Sequence, residues 1–311
     1  MSDTPRIIVI TGPTATGKSE LGVRLAEKIG GEIVSADSMQ VYKYMDIGTA
    51  KPTIDEMRGI PHHLIGFISP DDDYSVARYI EDASSCIHDI LQRKKQPILV
   101  GGTGLYIDSL LSGRFFSARG DEGLREKLEA EFEAVGGDVM LGKLREVDVD
   151  SAARLHSNDK KRIVRALEIF EATGKSISQH DKETKSIPPR YNATKFALNY
   201  SQRAVLYKKI DSRVDEMIAK GLEGEVKALL DMGVTCDNTS MQAIGYKEIS
   251  SSILSGSDIG AAAQKVKMES RRYAKRQLTW LRRDSDIKWI AWDDVPDIQY
   301  GIDEIMEFGC S

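Results

Sequence analysis

The sequence contains few cysteines, and their spacing suits neither a metal site nor a disulfide framework. Cys86, Cys236 and Cys310 are far apart, odd in number and never form a C-x-x-C pair. This pattern argues against a zinc ribbon and against a disulfide-stapled scaffold. It is typical of a protein kept in a reducing compartment, so we expect a cytoplasmic location.

Long apolar runs are also missing. No segment approaches the ~20 apolar residues that a membrane span needs, and the first strand pattern begins within a few residues of the start, which leaves no room for a signal segment. The 311 residues are 41% hydrophobic and 29% charged, a composition typical of a soluble globular protein with one large or two modest domains. We therefore expect no membrane partner.

The strongest positive signal is a glycine-rich loop between a strand pattern and a helix pattern. After the apolar run 7–10 come eight loop residues: Gly12, Pro13, Thr14, Ala15, Thr16, Gly17, Lys18 and Ser19. This setting is typical of a phosphate-binding P-loop. Backbone N–H groups turn toward one anion, Lys18 adds a point charge, and Ser19 can ligate Mg²⁺. We therefore expect a bound di- or triphosphate with Mg²⁺ as cofactor.

The sequence lacks one acid that P-loop ATPases and GTPases usually have. In those proteins an aspartate after a second strand holds Mg²⁺. Here the strand pattern 97–101 runs into Gly102 and Thr103. An acid instead closes the run 32–36, which places Asp37 at the strand end where open α/β sheets bind ligands. This carboxylate could accept a proton from a substrate, or it could cap a turn at Ser38. The sequence leaves both interpretations open.

Basic residues are concentrated locally, although the formal net charge is −5. Between 265 and 283, eight basic residues accompany one acid, Glu269, and Tyr273 and Trp280 lie on a neighbouring stripe at helical spacing. A second basic cluster occupies 160–165. A solvated helix face explains such a run, but its concentration in an acidic chain favours a polyanionic partner.

Alternating strand and helix patterns over the first ~110 residues predict a parallel sheet. We expect strands at 6–11, 32–36, 97–101, 195–200 and, at an edge, 288–292. We expect helices at 17–29, 74–93, 104–112, 203–220, 222–232, 240–254 and 258–283, and four more within an insertion at 122–136, 138–147, 150–156 and 159–173. The predicted fold class is α/β: a P-loop NTPase-like parallel sheet flanked by helices, formed by 1–112 and 195–311, with an inserted all-helical domain at 113–194.

Seven further motifs follow in order along nearly the whole chain: ADSMQVY at 36–42, DIGTAKP at 46–52, PHHL at 61–64, GGTGLY at 101–106, RIVRALE at 162–168, IGYKE at 244–248 and AKRQLTWLR at 274–282. Together with the P-loop they resemble the tRNA dimethylallyltransferase (IPP transferase) family. The departures are mild: Ser19 and Ser270 stand where the family often has Thr, and Lys209 where it often has Arg.

The resemblance implies an enzyme that transfers a dimethylallyl group from dimethylallyl diphosphate to N6 of the adenosine 3′-adjacent to the anticodon in tRNA. It implies catalytic roles for Asp37 as general base, for Lys18 and Arg213 at the diphosphate, and for Thr103. It also implies Mg²⁺ as cofactor, the tRNA anticodon stem-loop as partner, and a monomer. Without the family, Arg213 could equally be a surface arginine paired with a nearby acid.

The target base is stacked in the anticodon loop, so an enzyme must extrude it and hold its neighbours. The resemblance implies that the following residues face tRNA: Asp37, Ser38, Met39, Gln40, Thr103, Arg125, Lys161, Arg162, Ile163, Val164, Arg165, Gln242, Ala243, Ile244, Gly245, Tyr246, Lys247, Lys275, Arg276, Gln277, Leu278, Thr279, Trp280, Leu281 and Arg282. For Arg125 and Lys161, a solvated surface explains the sequence equally well.

Three alternatives stay open: an enzyme that prenylates free adenine nucleotides, a P-loop nucleoside or nucleotide kinase, and a non-catalytic RNA-binding protein. The helical insertion and the basic helix favour tRNA over a free nucleotide. The missing acid after Val100 counts against a kinase. We interpret His62 and His63 as structural, because two adjacent histidines need a third ligand to form a zinc site.

Overall fold

The computed structural model describes residues 4–113, 122–184 and 187–309. The chain divides into two compact units, one formed by Met1–Leu111 with Arg190–Ser311 and the other by Ser112–Pro189. The predicted insertion, 113–194, overlaps this second unit. Cys310 lies outside the described residues, and Cys86 and Cys236 are free thiols.

A parallel sheet forms the centre of the first unit. Its described strands are β1 (Arg6–Thr11), β2 (Gly31–Ser35), β3 (His62–His63), β4 (Gln96–Val100), β5 (Asn192–Tyr200) and β6 (Lys288–Trp292). Their order is β3-β2-β4-β1-β5-β6, and every neighbouring pair is parallel. The predicted α/β class is therefore confirmed, with β6 at an edge. Strand β1 lies inside the sheet, so the P-loop that follows it emerges between two neighbouring strand ends.

Helices cover the sheet and build the second unit. In the first unit they are α1 (Lys18–Ile29), α2 (Ile54–Met57), α3 (Val76–Gln92), α4 (Gly104–Leu111), α10 (Arg203–Ala219), α11 (Leu222–Asp231), α12 (Tyr246–Ser255), α13 (Ile259–Leu281) and α14 (Ile298–Gly309). In the second unit they are α5 (Glu122–Val135), α6 (Gly137–Val147), α7 (Val149–Ala152), α8 (Lys160–Thr173) and α9 (Ile177–Thr184). No described helix combines the length and the apolar character that crossing a membrane would take.

The sequence patterns missed the helices α2, α9 and α14 and the strand β3, and placed one helix start too early. Helices α2 and α9 are short and polar, and β3 has only two residues, so periodicity has little to act on. Residues 240–254 were expected to form one helix. Instead a 3-10 turn at Ser240–Gln242 precedes α12, because Ala243 is extended and Gly245 has φ +100°.

Each sheet face carries its own apolar core. One face packs Val9, Val34 and Leu99 against α3, α4, α11 and α12, and the other packs Ile10 and Leu198 against α1, α10, α13 and α14. The second unit has a separate core that includes Leu128, Met140, Leu144 and Leu167, together with Ile163 and Val164.

Candidate active site

The P-loop has the backbone geometry of an anion cradle. Gly12 and Gly17 have φ values of +140° and +83°, and Ala15 between them has φ +63°. A Cβ on Gly12 would lie 2.5 Å from the carbonyl oxygen of Leu198, so this position requires glycine. Because α1 begins at Lys18, the loop presents the N–H groups of a helix N-terminus to whatever it binds.

Side chains from β5 and β6 hydrogen-bond to the backbone of this loop. The indole Nε1 of Trp292 donates to the carbonyl oxygen of Thr16 at 2.9 Å, and the hydroxyl of Tyr200 donates to that of Ala15 at 3.2 Å. Sequence analysis did not identify either residue as part of the site. Both end strands of the sheet, which is the one signal that could have marked them.

The side chains of Lys18 and Arg213 lie close enough for their positive charges to interact. Burial and the nearby charge of Arg213 lower the pKa of Lys18 to about 7, while Asp37 opposes this shift. Burial likewise lowers the pKa of Arg213, again opposed by Asp37. The Nε atom of Arg213 is shielded from solvent and has no hydrogen-bond partner in the described part of the chain. A buried, unpartnered donor beside a second cation favours an anionic ligand.

Asp37 serves as a turn cap and still keeps one oxygen available. Its Oδ1 accepts from the backbone N–H of Met39 at 2.9 Å and of Gln40 at 3.3 Å. Its Oδ2 accepts no hydrogen bond from residues 4–113, 122–184 or 187–309. The two interpretations that the sequence left open are therefore compatible, because one oxygen orients the carboxylate and the other can accept a proton.

Thr103 connects the Asp37 turn to the loop after β4. Its Oγ1 accepts from the backbone N–H of Ser38 at 3.1 Å, and a Cβ on Gly101 would overlap the backbone of Ala36. Burial together with Asp37 raises the pKa of the Tyr273 phenol to about 12, and the nearby Thr103 hydroxyl opposes this shift. In the sequence, Tyr273 stands out only as part of an aromatic stripe, because nothing there indicates that α13 approaches Asp37 and Thr103.

The residues at 275–282 that were expected to face tRNA differ in their exposure to solvent. Gln277, Leu278 and Leu281 are buried: Leu278 lies in an apolar core of the sheet, and Gln277 donates to the carbonyl oxygen of Gly102. Their assignment as residues that face tRNA stays a prediction, and their side chains expose little surface for such a contact. The exposed members are Lys275, Arg276, Thr279, Trp280 and Arg282. A continuous motif on a packed helix necessarily includes both faces.

Acids on α10 neutralise part of the basic helix. Lys267 pairs with Asp215 at 2.6 Å, and Arg271 pairs with Asp211. Residues Lys275 and Arg282 form no ion pair with any described residue. The charge available to a polyanion therefore lies toward the end of α13 that is near Thr103 and Tyr273.

A similar division applies to 242–247. Ala243, Gly245 and Tyr246 are buried, whereas Gln242 and Lys247 are exposed and Ile244 is half-buried. The assignment of 242–247 to the tRNA interface stays a prediction, and Gln242 and Lys247 are the two residues whose side chains are exposed for it. Residues Asp37, Ser38, Met39 and Gln40 are half-buried and remain accessible in part.

In the second unit, the side chains of Ile163 and Val164 lie in the apolar core, and their assignment to the tRNA interface stays a prediction. Arg125, Lys161 and Arg162 are exposed, and Arg125 pairs with Glu129 at 3.1 Å within α5. Arg165 pairs with the buried Glu168 at 2.9 Å. The exposed cations of this unit stay predictions as tRNA contacts.

The P-loop residues fit a magnesium diphosphate. Ser19 is exposed in the first turn of α1, and its hydroxyl makes no hydrogen bond within the described ranges. The described residues contain no cluster of three or more His, Cys, Asp or Glu side chains that could hold a metal by itself. Mg²⁺ commonly takes one protein oxygen, substrate phosphates and waters, which is the ligand set that Ser19 could share.

Comparison with known proteins agrees on one family. A model described as IPP transferase matches residues 40–284, and a model described as isopentenyl transferase matches residues 5–66. A tRNA dimethylallyltransferase of Caldanaerobacter subterraneus subsp. tengcongensis is 47% identical over 305 residues, covering 97% of each chain. One from Desulforudis audaxviator is 47% identical over 290 residues, covering 93% of each.

Solved structures give the same result. A tRNA isopentenylpyrophosphate transferase from Bacillus halodurans has a TM-score of 0.73 and 41% identity, covering 98% of this chain and 95% of its own. A eukaryotic dimethylallyltransferase, described as acting on tRNA, has a TM-score of 0.82 and 32% identity, covering 96% of this chain and 78% of its own.

Proposed function

This chain belongs to the IPP transferase family, and we propose that it transfers a dimethylallyl group from dimethylallyl diphosphate to N6 of the adenosine 3′-adjacent to the anticodon in tRNA. It is a prenyltransferase of the tRNA dimethylallyltransferase type. The observation that carries the assignment of the site is the grouping of Lys18, Arg213 and Asp37 beside the P-loop: two half-buried cations and a carboxylate whose charges interact.

The diphosphate is the leaving group in this reaction. The allylic C–O bond breaks, the new C–N bond forms, and negative charge accumulates on the departing diphosphate oxygens. The P-loop N–H groups, Lys18 and Arg213 are placed to stabilise that charge, which lowers the barrier more than it strengthens substrate binding. When bound through Ser19, Mg²⁺ supplies further positive charge to the same oxygens.

Asp37 takes the proton that the amine loses. Adenine N6 is a weak nucleophile because its lone pair is delocalised into the ring, so proton acceptance during bond formation assists the reaction. The Oδ1 contacts with Met39 and Gln40 hold the carboxylate, which leaves Oδ2 to accept the proton. Thr103 braces this turn through Ser38.

The acceptor is a tRNA rather than a free nucleotide. The exposed cations Lys275 and Arg282 lie on the helix that carries Tyr273 and Gln277 beside the site. A helical unit of this size is unnecessary for a free nucleotide. The cytoplasmic location and the monomeric state stay predictions.

One incubation tests the proposal. The protein, Mg²⁺ and dimethylallyl diphosphate are combined with bulk tRNA, with AMP or with no acceptor, and the tRNA is digested to nucleosides for mass spectrometry. We expect a five-carbon addition to adenosine from tRNA only. Modification of AMP at a comparable rate would favour the free-nucleotide alternative. In a parallel incubation with ATP in place of dimethylallyl diphosphate, transfer of the γ-phosphate would favour a kinase.

A further inference from the structure

Glu225, on α11, binds the backbone of a distant loop. Its Oε2 accepts from the N–H of Asp46 at 2.9 Å and of Ile47 at 2.8 Å, and its Oε1 accepts from the N–H of Gly48 at 3.2 Å. Three consecutive N–H groups that converge on one carboxylate form an anion nest that the protein fills with its own side chain. Hydrogen bonds to a charged acceptor are among the stronger ones in proteins.

Tyr246 hydrogen-bonds both to Glu225 and to the loop that Glu225 binds. Its hydroxyl donates to Glu225 Oε1 and accepts from the N–H of Gly48 at 3.1 Å, and its ring is fully buried. A Cβ on Gly48 would overlap the ring of Tyr246 and lie 2.9 Å from Leu222 Cδ1. The IGYKE motif therefore contributes, through Tyr246, a buried phenol that organises this loop.

The same loop holds the turn that carries Asp37. The side-chain amide of Gln40 donates to the carbonyl oxygens of Thr49 at 3.2 Å and Ala50 at 3.3 Å. The backbone N–H of Gln40 donates to Asp37 Oδ1 at 3.3 Å. A continuous set of hydrogen bonds thus runs from Glu225 through residues 46–50 to Gln40 and Asp37.

We propose that Glu225 is a positioning residue for the acceptor side of the reaction, acting through the 46–50 loop on Gln40 and Asp37. This inference rests on the proposed function, since it assumes that the Asp37 turn faces the incoming adenosine. Within the described ranges, no hydrogen bond or ion pair joins Glu225 to the P-loop, so the diphosphate side does not depend on it. Small displacements of a catalytic group cost large factors in rate.

The test uses the substitution Glu225→Gln. It keeps the size of the side chain but places an NH₂ donor opposite backbone N–H donors. Glu223→Gln is the matched control, because Glu223 is an exposed carboxylate on the same helix. We expect Glu225→Gln to lower kcat/KM for tRNA at least ~10-fold, with the KM for dimethylallyl diphosphate unchanged within about twofold. Tyr246→Phe, which removes one donor, should fall between wild type and Glu225→Gln.

Hydrogen–deuterium exchange gives a readout that does not require activity. In Glu225→Gln we expect faster exchange at residues 37–50 and unchanged exchange at 12–19. If Glu225→Gln does not fold, Glu225→Asp, which keeps the charge but shortens the reach, serves the same comparison. Equal rises in the KM of both substrates, unchanged kinetics, or unchanged exchange at 37–50 would each overturn the inference. If the wild-type protein did not prenylate tRNA, the proposed function would be wrong. The exchange measurement would still test whether Glu225 orders residues 37–50.

Discussion

The side-chain oxygen of Gln277 accepts a hydrogen bond from the backbone N–H of Thr14 at 3.2 Å, across 263 residues of sequence. The amide nitrogen of the same side chain donates to the carbonyl oxygen of Gly102 at 2.8 Å. One buried amide therefore joins the P-loop to the loop that leads to Thr103. The basic helix thus braces the catalytic loops with one face while it exposes cations on the other.

Replacing Gln277→Leu removes both hydrogen bonds at nearly constant volume. We expect the KM for dimethylallyl diphosphate to rise about 5- to 50-fold, because a buried N–H and C=O left unsatisfied cost about 1–3 kcal/mol and loosen the cradle. Steady-state kinetics at saturating tRNA measure this. Gln264→Leu, the same change at an exposed position of α13, should leave the KM unaltered. An unchanged KM in Gln277→Leu would show that the brace is dispensable.

Replacing Asp37→Asn separates the two roles of this carboxylate. The amide oxygen still accepts from Met39 and Gln40, so the turn is retained, but the base is lost. We expect kcat to fall by about 10²- to 10⁴-fold, with tRNA affinity within a few-fold of wild type. Single-turnover kinetics and filter binding measure the two quantities. The exposed Asp72→Asn is the control, and full turnover in Asp37→Asn would refute the assignment of the base.

The lowered pKa of Lys18 predicts proton uptake on diphosphate binding. With a pKa of about 7 in the free protein, Lys18 is mostly neutral at about pH 8.5 and mostly charged at about pH 6. A bound diphosphate favours the ammonium form and raises this pKa, so binding at the higher pH should take up close to one proton. At the lower pH, Lys18 should contribute almost no uptake.

Calorimetry in buffers of different ionisation enthalpy measures this uptake. Lys18→Arg provides the control, because the guanidinium is charged at both pH values and has no proton to gain. If the variant and the wild type take up the same number of protons at the higher pH, the uptake comes from another group.

Salt dependence tests the exposed end of α13. We expect Lys275→Gln or Arg282→Gln to weaken tRNA binding and to reduce the slope of log K against log salt by about 0.7–0.9 for each lost phosphate contact. Lys94→Gln, at the amino edge of the sheet before β4, is the control. An unchanged slope in both α13 variants would remove this face from the tRNA interface.

Much of the fold followed from local pattern. The buried strands of a parallel sheet read as short apolar runs, so β1, β2, β4, β5 and β6 were each located within a few residues. The short edge strand β3 and the polar helices α2 and α9 escaped, because their sequences carry too few periodic positions.

Fewer features of the candidate active site than of the fold could be predicted from local sequence patterns. Local sequence identified Lys18, Ser19 and Asp37, because the P-loop and the strand end each have a distinct pattern. The burial of Leu278 and Tyr246 could not be predicted from a motif match, since a motif does not say which residues face the core.

By itself, the sequence determined the P-loop, the order of strands along the chain and the acid at the end of β2, because these depend on residues that are neighbours in the chain. Tertiary structure alone decided that Gln277 reaches Thr14, that Glu225 holds the 46–50 loop and that Arg213 lies beside Asp37. Such contacts join segments that are far apart in the chain, up to the 263 residues between Thr14 and Gln277. They exist only because parallel strands bring their carboxyl ends to one edge, where helices from the other half of the chain pack.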